Sequence, residues 1–266
     1  MKNLKNKMTE EVWSSYEYYK SAHKGSLDMN HEGMEILANL SINAKRILDL
    51  GCGEGTRLNA LINDKQAGVG VDISQKALVM AKKKYSKIRF IKADLENIPL
   101  PDNSFDLVYS AYVFDHLINP SIVIKEAIRL TSKEGFFVII APNYGAPNRV
   151  SPPFKGSRIK KFSEGLFKDF MSLIIKERLE WKMVTPIADK SKYELDWDTT
   201  IEPYLGSLLN YISFLGLKVN KYSSCWSAEL PNAKFHQKVF KLLGNLDIFP
   251  FNMWGPHLVL VVKKVR

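Results

Sequence analysis

The chain has 266 residues, the length of one large α/β domain or two small ones, and its 45% hydrophobic and 25% charged residues are typical of a globular protein. This composition excludes disorder, collagen and coiled coil for the whole chain, and two cysteines without CxxC spacing exclude a disulfide scaffold or a cysteine zinc site. The net charge is +10. Residues 143–266 supply most of it, with 19 basic and 11 acidic side chains, which leaves nucleic acid, an anionic membrane or an anionic substrate open as partners.

The predicted elements begin with one or two helices in residues 8–39, after an N-terminus that has no apolar stretch. We therefore expect no secretory signal, and no apolar run approaches the roughly 18 residues of a membrane span. The two widely separated cysteines lead us to expect a reducing, cytoplasmic location. Strands are then predicted at residues 46–50, 68–73, 88–92, 104–110 and 135–141, and helices up to about residue 64 and at 75–84 and 120–131. This alternation within about 100 residues predicts a parallel, doubly wound sheet.

The regular alternation stops after residue 142. We predict a loop at residues 143–161, helices at 162–183, 203–215 and 235–243, and strands at 217–222 and 257–263. The predicted domains are an N-terminal helical lid (1–45), a cofactor-binding core (46–142), a cap insertion (143–202) and the end of the core sheet (203–266), which contains a second insertion at 224–255. Both insertions are expected to roof a site.

The segment ILDLGCGEGT, residues 47–56, carries the clearest chemical signal. An apolar strand leads into Gly51, Gly53 and Gly55, which permit a tight turn and let a ligand lie against bare backbone. The alternative is an ordinary turn between a strand and a helix. Asp49 favours a ligand with an ammonium group over a pyrophosphate, and the spacing is GxGxG rather than the GxGxxG of dinucleotide binders.

Two further carboxylates follow predicted strands. Asp72 ends the strand GVGVD and can accept hydrogen bonds from ribose hydroxyls, and Asp94 after the third strand can accept the amine of an adenine. Each has a simpler explanation as the N-cap of a following helix. Asp49, Asp72 and Asp94 nevertheless share the carboxyl edge of the predicted sheet, where ligands of open α/β sheets bind.

The segments ILDLGCGEGT, GVGVDIS and ADLENIPLPDNSFDLVYS resemble, in this order, the motifs of the class I S-adenosylmethionine-dependent methyltransferases, in the type 11, ubiquinone-methyltransferase-like branch. The resemblance covers residues 46–141 well and 203–263 in outline. It implies S-adenosylmethionine as cofactor and a Rossmann-like seven-stranded sheet whose last strand is antiparallel. A nicotinamide enzyme is the structural alternative, against which Asp49 and the GxGxG spacing argue.

The resemblance also implies where the cofactor binds. The glycine turn lies under its methionine part, Asp72 holds the ribose, Asp94 and Leu95 flank the adenine, and Ser110 and Ala111 face the methionine part. The implied cofactor-binding residues are Asp49, Gly51, Cys52, Gly53, Gly55, Asp72, Ile73, Ala93, Asp94, Leu95, Ser110 and Ala111. In this family the N-terminal helices often form a lid, for which the candidates are Tyr18, Tyr19, His23 and His31, although helix packing explains them equally well.

The segment YVFDHLINP resembles the family's E-H-L-x-x-P segment, with Asp115 in place of Glu. His116 is the candidate catalytic base, because imidazole titrates near neutrality. The alternative is a structural histidine at the start of the next helix. In the ubiquinone enzymes an acidic residue three positions earlier helps to bind a divalent metal, and because Tyr112 stands there we expect no metal.

Three features of the cap bear on the acceptor. A basic cluster invites an anionic group, an acidic run could bind sugar hydroxyls or a cation, and an aromatic turn could contact an apolar acceptor or a membrane surface. The simpler explanations are a solvated loop, the cap of a helix and core packing, and membrane contact is not expected. The residues are Lys155, Arg158, Lys160 and Lys161; Asp196, Asp198 and Glu202; and Phe249, Phe251, Met253 and Trp254.

These observations favour a methyltransferase that O-methylates a polar small molecule or a glycan precursor, with an anionic acceptor as the leading hypothesis. One alternative is an RNA methyltransferase, suggested by the charge of the second half. However, the N-P-P-Y-type signature of amino-methylating nucleic-acid enzymes is absent, and no DNA is expected as a partner. A second alternative is a regulator that binds the cofactor without catalysis. The sequence leaves the oligomeric state open.

Overall fold

The computed structural model describes residues 31–176, 178–187 and 194–265. Of the helices predicted in residues 8–39, only the last part is described, and it forms α1 (Glu32–Ser41). His31 begins this helix, because its side chain accepts a hydrogen bond from the Gly33 amide. The lid candidates Tyr18, Tyr19 and His23 lie outside the described residues, so their role stays a prediction.

Strands and helices then alternate along the core as the sequence predicts. The elements are β1 (Arg46–Leu50), α2 (Thr56–Leu61), β2 (Ala67–Asp72), α3 (Gln75–Lys84), β3 (Arg89–Lys92), β4 (Phe105–Ala111), α4 (Pro120–Leu130) and β5 (Thr131–Pro142). The Ser74 hydroxyl begins α3 by accepting a hydrogen bond from the Ala77 amide. β5 begins before the predicted residue 135, because Thr131 already pairs with Phe105 of β4.

The sheet has seven strands in the order β3-β2-β1-β4-β5-β9-β8, where β8 is Lys218–Ser223 and β9 is His257–Lys263. Strands β1 to β5 pair in parallel, and β9 is antiparallel to both of its neighbours. The predicted α/β fold with an antiparallel last strand is therefore confirmed. The strand order reverses between β1 and β4, and ligands of open α/β sheets bind outside the carboxyl ends of strands at such a reversal.

Apolar residues fill both faces of the central strands, because helices cover the sheet on both sides. Leu48 of β1 and Val108 of β4 belong to one buried cluster, whereas Ile47 and Leu107 belong to the other. All four side chains are buried. The two apolar clusters, one on each face of the sheet, hold in place the strand ends that carry the residues of the candidate site.

The first insertion leaves the sheet after β5 and contains α5 (Arg158–Ser172) and a ribbon of β6 (Lys182–Met183) and β7 (Ile201–Glu202). The prediction of a helix at residues 162–183 is wrong at both ends. The helix begins earlier because the Ser157 hydroxyl accepts a hydrogen bond from the Lys160 amide. It ends at Ser172, whose carbonyl accepts a hydrogen bond from the Asn210 side chain.

The last part of the chain returns to the sheet through α6 (Leu205–Phe214) and β8, and the second insertion contains α7 (Phe235–Asn245). Asn143 connects this insertion to the end of β5, since its Nδ2 donates to the Met253 and Gly255 carbonyls at 2.8 Å each. Across the described ranges, no helix combines the length and the apolar character needed to cross a membrane. The division into lid, core and insertions stays a proposal.

Candidate functional site

The glycine turn after β1 lies at the reversal of strand order. Gly51 has φ +81°, and its amide and that of Cys52 donate to the Val71 carbonyl at 2.8 and 3.0 Å. A Cβ on Gly51 would lie 2.4 Å from a methyl carbon of Val113, so packing requires a glycine here. Gly53 has φ +52°, but no atom lies within 4 Å of the place of its missing Cβ. The turn therefore leaves open space over Gly53 that a ligand can fill.

Cys52 and Gly55 complete this turn by a hydrogen bond from the Gly55 amide to the Cys52 carbonyl at 2.9 Å. Gly55, at φ +79°, begins α2. The Cys52 thiol is buried, and burial raises its pKa well above the usual range. The thiol is therefore a packing group, and only the backbone of Cys52 belongs to the rim of the open space.

Asp72 holds the glycine turn from the end of β2. Its Oδ2 accepts a hydrogen bond from the Gly53 amide and its Oδ1 one from the Ser74 amide, both at 2.8 Å. Burial raises the pKa of Asp72, and the two amide hydrogen bonds act against this rise. The residue is half-buried, and Ser74 provides the cap of α3. Asp72 is therefore a carboxylate at the edge of the open space rather than a helix cap.

Asp49 is buried within β1, where its Oδ2 accepts a hydrogen bond from the Tyr109 hydroxyl at 2.7 Å. Burial raises the pKa of Asp49 to about 7, although the Tyr109 hydrogen bond and the charge of Arg57 lower it. Near neutrality Asp49 is therefore divided between its neutral and charged forms. A cationic ligand nearby would favour the charged form.

Arg57 belongs to the same site, although its place in the first turn of α2 was the only signal that the sequence offered. Its Nη1 donates to the Ala111 carbonyl at 3.3 Å, and its guanidinium lies 5.6 Å from the centre of the Tyr112 ring. Its Nε is buried and has no hydrogen-bond partner among the described residues. Because an unpaired buried N–H is costly, this atom marks a place where an anionic group of a ligand can bind.

The residues predicted on the adenine side follow β2 and β3. Asp94 is exposed, and its Oδ1 accepts a hydrogen bond from the Glu96 amide at 2.9 Å in a local turn. No helix lies between it and β4, a stretch that the structure describes in full, so the alternative of a helix cap is wrong for Asp94. Ile73 is exposed, Leu95 is buried, and the Ala93 amide donates to the Asp72 carbonyl at 3.2 Å. Their contact with a ligand stays a prediction.

Ser110 and Ala111 end β4 and are both buried. The Ser110 hydroxyl donates to the Leu50 carbonyl at 3.0 Å and so joins β4 to β1. The Ala111 carbonyl is the acceptor for Arg57. We therefore expect ligand contacts at this strand end to come from backbone and from Arg57, not from the Ser110 hydroxyl.

His116 lies in a short 3-10 helix after β4, between two carboxylates. Its Nε2 is 3.5 Å from Asp115 Oδ2 and its Nδ1 is 3.5 Å from Asp198 Oδ2. Burial lowers the pKa of His116, but the charges of Asp115, Asp198 and Asp196 raise it to about 9. At neutral pH the imidazole is therefore a cation, and the predicted role as base requires it to lose a proton first.

The cap delivers part of this cluster from far along the chain. The Thr200 amide and hydroxyl donate to the Asp115 carbonyl at 2.8 and 3.2 Å, which fixes the preceding Asp198 beside His116. Tyr144 donates its hydroxyl to Asp196. The cluster therefore joins the ends of β4 and β5 to the first insertion.

Asp115 adds a distinct feature, because its Oδ1 is buried without a hydrogen-bond partner in the described part of the chain. Burial raises the pKa of Asp115 to about 6, although the charge of His116 lowers it. At neutral pH Asp115 is thus ionised beside a protonated His116. Within the described ranges, no three His, Cys, Asp or Glu side chains are arranged to hold a metal ion.

The structure separates Glu202 and Lys161 from the groups in which the sequence placed them. Lys161 Nζ lies 2.7 Å from Glu202 Oε2, and Ser151 donates its amide and hydroxyl to Glu202 Oε1, both at 2.9 Å. Both members of this ion pair are largely buried. Glu202 is therefore bound to Lys161 and not to His116, and Lys161 does not contribute to an exposed basic surface.

A cavity of about 370 Å³ opens beside this ion pair. It is lined by Tyr144, Val150, Ser151, Pro152, Phe154, Gly156 and Arg158. Lys182 Nζ lies 4.0 Å from the centre of the Phe154 ring, which adds a second cation to that of Arg158. The cavity therefore has basic side chains at its edge and, through the Tyr144 hydroxyl, a connection to Asp196 and the His116 cluster.

Part of this chain is similar in sequence to known methyltransferases. The family described as "Methyltransferase domain" matches residues 48–139. A protein of Mycobacterium tuberculosis named as a probable S-adenosylmethionine-dependent methyltransferase is 28% identical over 100 residues, which are 38% of this chain and 36% of that protein. A malonyl-[acyl-carrier protein] O-methyltransferase of Marinomonas is 30% identical over 149 residues, 53% of each chain.

A Bacillus subtilis protein assigned provisionally as a 23S rRNA (guanine-N(1)-)-methyltransferase is 34% identical over 101 residues, 36% of this chain and 33% of that protein. The chain thus spans about a third to a half of the length of the curated relatives it matches. Among solved structures, an S-adenosylmethionine-dependent methyltransferase of Mesorhizobium loti has a TM-score of 0.52 at 17% identity, covering 86% of this chain and 96% of that one. At this identity the likeness shows the fold.

Proposed function

We propose that this chain, which belongs to the class I S-adenosylmethionine-dependent methyltransferases of the type 11 branch, transfers a methyl group to the oxygen of a polar small molecule or a glycan precursor. The observation that carries the proposal is the open space over Gly53, whose amide donates to the Asp72 carboxylate, in a glycine turn that leads into α2 and the buried Nε of Arg57, which is unpaired among the described residues. Family membership rests on residues 48–139, and the acceptor is the proposed part.

The residues around this space fit S-adenosylmethionine, the cofactor of the family. Bare backbone at Gly53 suits a ligand that lies flat on the turn, and Asp72 suits the two ribose hydroxyls. The unpaired Nε of Arg57 suits the carboxylate of the methionine part, and Asp49 suits its ammonium group. A site for a dinucleotide would bring a pyrophosphate to this turn, and the carboxylate of Asp49 would repel it.

S-adenosylmethionine supplies a methyl group that is already activated on a sulfonium. The side chains of this chain therefore need only to bind and align the acceptor and to receive a proton where the acceptor loses one. The His116 cluster stands beside the end of β4, where the family resemblance predicts the reacting end of the site. At neutral pH its ionised member Asp115, with a pKa of about 6, is the better proton acceptor, while His116 holds the negative charges together.

The cavity beside Tyr144 is the proposed acceptor pocket. Arg158 and Lys182 at its edge favour an acceptor that carries a carboxylate or phosphate, whereas the acidic cluster beyond Tyr144 favours hydroxyl groups as hydrogen-bond donors. An acceptor with an anionic group at one end and a hydroxyl at the other meets both conditions. The volume of about 370 Å³ suits a small molecule.

The test uses S-adenosylmethionine with a tritiated methyl group and an extract of the source organism separated into small-molecule, lipid, protein and RNA fractions. We expect label in the small-molecule or lipid-linked glycan fraction. Asp72→Ala should reduce labelling at least tenfold at sub-saturating S-adenosylmethionine because the cofactor binds more weakly, and Arg158→Gln should reduce labelling at least tenfold while cofactor binding is unchanged. Label confined to the protein fraction would contradict the proposal.

RNA methylation is the second candidate, supported by the eight excess positive charges of residues 143–266 and by the Bacillus subtilis relative. It predicts label in the RNA fraction and an affinity for RNA that falls steeply with salt, because phosphate contacts release counterions. A binding curve that is flat between low and moderate salt excludes this candidate.

A further inference from the structure

The exposed side of α5 carries an apolar stripe that no described element covers. Ile159, Phe167, Phe170 and Ile174 follow one another at intervals of eight, three and four residues, which places them on one face of the helix and its extension. Their exposed fractions are 82%, 66%, 52% and 81%. The inner side of the same helix bears the buried Asp169, which accepts hydrogen bonds from Tyr204 and Trp254, so the stripe is separate from the side that packs on the rest of the chain.

The second insertion carries a matching stripe on α7. Phe235, Val239, Leu242 and Leu246 are spaced by four, three and four residues, and Phe235 is 83% exposed. No residue of α7 is buried. On its inner side Phe240 stacks on Phe251 with ring centres 5.3 Å apart. The helix is therefore attached by one face only and presents an apolar stripe on another.

The helices that carry the two stripes adjoin one another. Phe170 of the α5 stripe packs edge-on against Phe249, which follows α7, with ring centres 5.5 Å apart. Phe162 on the inner side of α5 stacks on Phe240 of α7, at 6.2 Å. We call the surface made of the two stripes the α5–α7 face.

Positive charge surrounds the α5–α7 face. Residues 155–176 hold six basic and two acidic side chains, and residues 234–247 hold three and one. One of the basic side chains, Lys161, is largely buried in its ion pair with Glu202. One of the acidic side chains, Asp169, is buried and faces inward, where Tyr204 and Trp254 donate hydrogen bonds to it. Lysines such as Lys168 and Lys238 are exposed and stand beside the apolar stripes.

We propose that the α5–α7 face binds the surface of an anionic lipid bilayer. Amphipathic helices that combine exposed Phe, Leu and Ile with flanking lysines insert their apolar side at the boundary of headgroups and acyl chains, and each lysine adds attraction to anionic lipid. A second copy of the same face would bring like charges together, so charge complementarity favours the bilayer over self-association. The helices lie on the membrane and do not cross it, and the face stands apart from the cofactor space.

The test is co-sedimentation of the full chain with large vesicles of phosphatidylcholine alone or with one-third phosphatidylglycerol. We expect binding to the anionic vesicles that weakens with salt and little binding to the neutral ones. Phe167→Ser combined with Leu242→Ser removes apolar contact with the bilayer and should weaken binding to the anionic vesicles. Lys168→Gln, Lys234→Gln and Lys238→Gln together should lower the partition coefficient for these vesicles about 100-fold. Circular dichroism checks that the variants are folded.

Matched controls carry the same kinds of substitution, apolar to Ser and Lys to Gln, at exposed positions outside the two insertions. Val79 and Ile122 are exposed apolar residues on α3 and α4, and Lys65, Lys82 and Lys83 are exposed lysines outside the insertions. Changing them to Ser and Gln should leave vesicle binding as in the wild type. Absence of binding to anionic vesicles at low salt, or an equal loss in the controls, overturns the proposal. So does a concentration-dependent dimer that Phe167→Ser and Leu242→Ser abolish, because that outcome assigns the face to a second copy.

Discussion

Gly53 and Gly216 offer a matched pair at the scale of single residues. Both have positive φ, +52° and +69°, and neither has an atom within 4 Å of the place of its missing Cβ. Alanine at either position costs about 1 kcal/mol of stability through the left-handed backbone. We expect only Gly53→Ala to weaken cofactor binding, by tenfold or more, because its methyl group occupies the open space of the turn. Calorimetry with S-adenosylmethionine checks this, and equal affinities of the two variants would contradict the assignment of that space.

Asp49 makes the apoprotein less stable as the pH rises. Its pKa is about 7 in the folded chain and near 3.8 when exposed, so the folded state binds the proton more tightly. The contribution of Asp49 to the free energy of unfolding is therefore fully present below pH 4 and is lost as the pH rises from 4 to 7. Asp49→Asn should therefore increase the free energy of unfolding at pH 8 by about 2–4 kcal/mol relative to the wild type, with a smaller gain at pH 5.

Urea unfolding of the apoprotein at the two pH values measures this effect, and Asp106→Asn provides a control of opposite sign. The pKa of Asp106 is lowered, because the hydrogen bonds and charge of its partners outweigh the rise that burial causes. The Asp106 carboxylate therefore adds to the free energy of unfolding above pH 4, and Asp106→Asn should lower this free energy at pH 8. A gain from Asp106→Asn, or no gain from Asp49→Asn, would contradict this interpretation of the two carboxyl groups.

The charge state of His116 decides which group in its cluster accepts a proton. The pKa of about 9 depends on Asp198, so Asp198→Asn should lower the pKa of His116 by about one unit or more, because it removes one negative charge. NMR titration of the imidazole measures this without an acceptor. A wild-type pKa near 6.5 would restore His116 as a ready base and remove the argument for Asp115.

At the scale of elements, Asp169 holds α5 against its neighbours. Its buried carboxylate accepts hydrogen bonds from the Tyr204 hydroxyl at 2.5 Å and from Trp254 Nε1 at 2.8 Å. Asp169→Ala leaves both donors buried and unpaired, so we expect a loss of about 2–4 kcal/mol in the free energy of unfolding. Lys168→Ala, one residue away on the exposed side, should change it by less than about 0.5 kcal/mol. Similar losses in the two variants would show that Asp169 has no special role.

The elements that the sequence predicted well are those whose periodicity alone determines them. Strands such as β1 and β9 are continuous apolar runs between turn signals, and their bounds agree with prediction. The start of α5 depends on one Ser157 hydroxyl, and its end depends on Asn210, which lies far along the chain. Asp198 reaches His116 across 82 positions, and no local pattern indicates such a contact. The contacts of Arg57 with Ala111 and Tyr112 are likewise between residues far apart in the chain.

In the molecule as a whole, the strand order of the sheet determines where the residues of the candidate site lie. The reversal between β1 and β4 places the glycine turn, Asp72 and the His116 cluster along the carboxyl edge of one sheet. The first insertion reaches this edge through the contacts of Asp198 and Thr200 with the segment after β4. The positive charge of the second half does not surround the glycine turn. Part of it stands at the cavity, as Arg158 and Lys182, and part beside the α5–α7 face, as Lys168 and Lys238, whereas Lys218 and Lys221 belong to β8. The first two groups bear on the proposed acceptor pocket and the proposed membrane face.

Calorimetry of S-adenosylmethionine binding to the wild type and to Asp72→Ala shows whether the glycine turn after β1 holds the cofactor. We expect one site in the wild type and an affinity at least tenfold lower in the variant, because the Asp72 carboxylate borders the open space over Gly53. Thermal unfolding of both proteins without ligand shows whether the variant is folded. No binding by the folded wild type, or equal binding by a folded Asp72→Ala, would contradict the account.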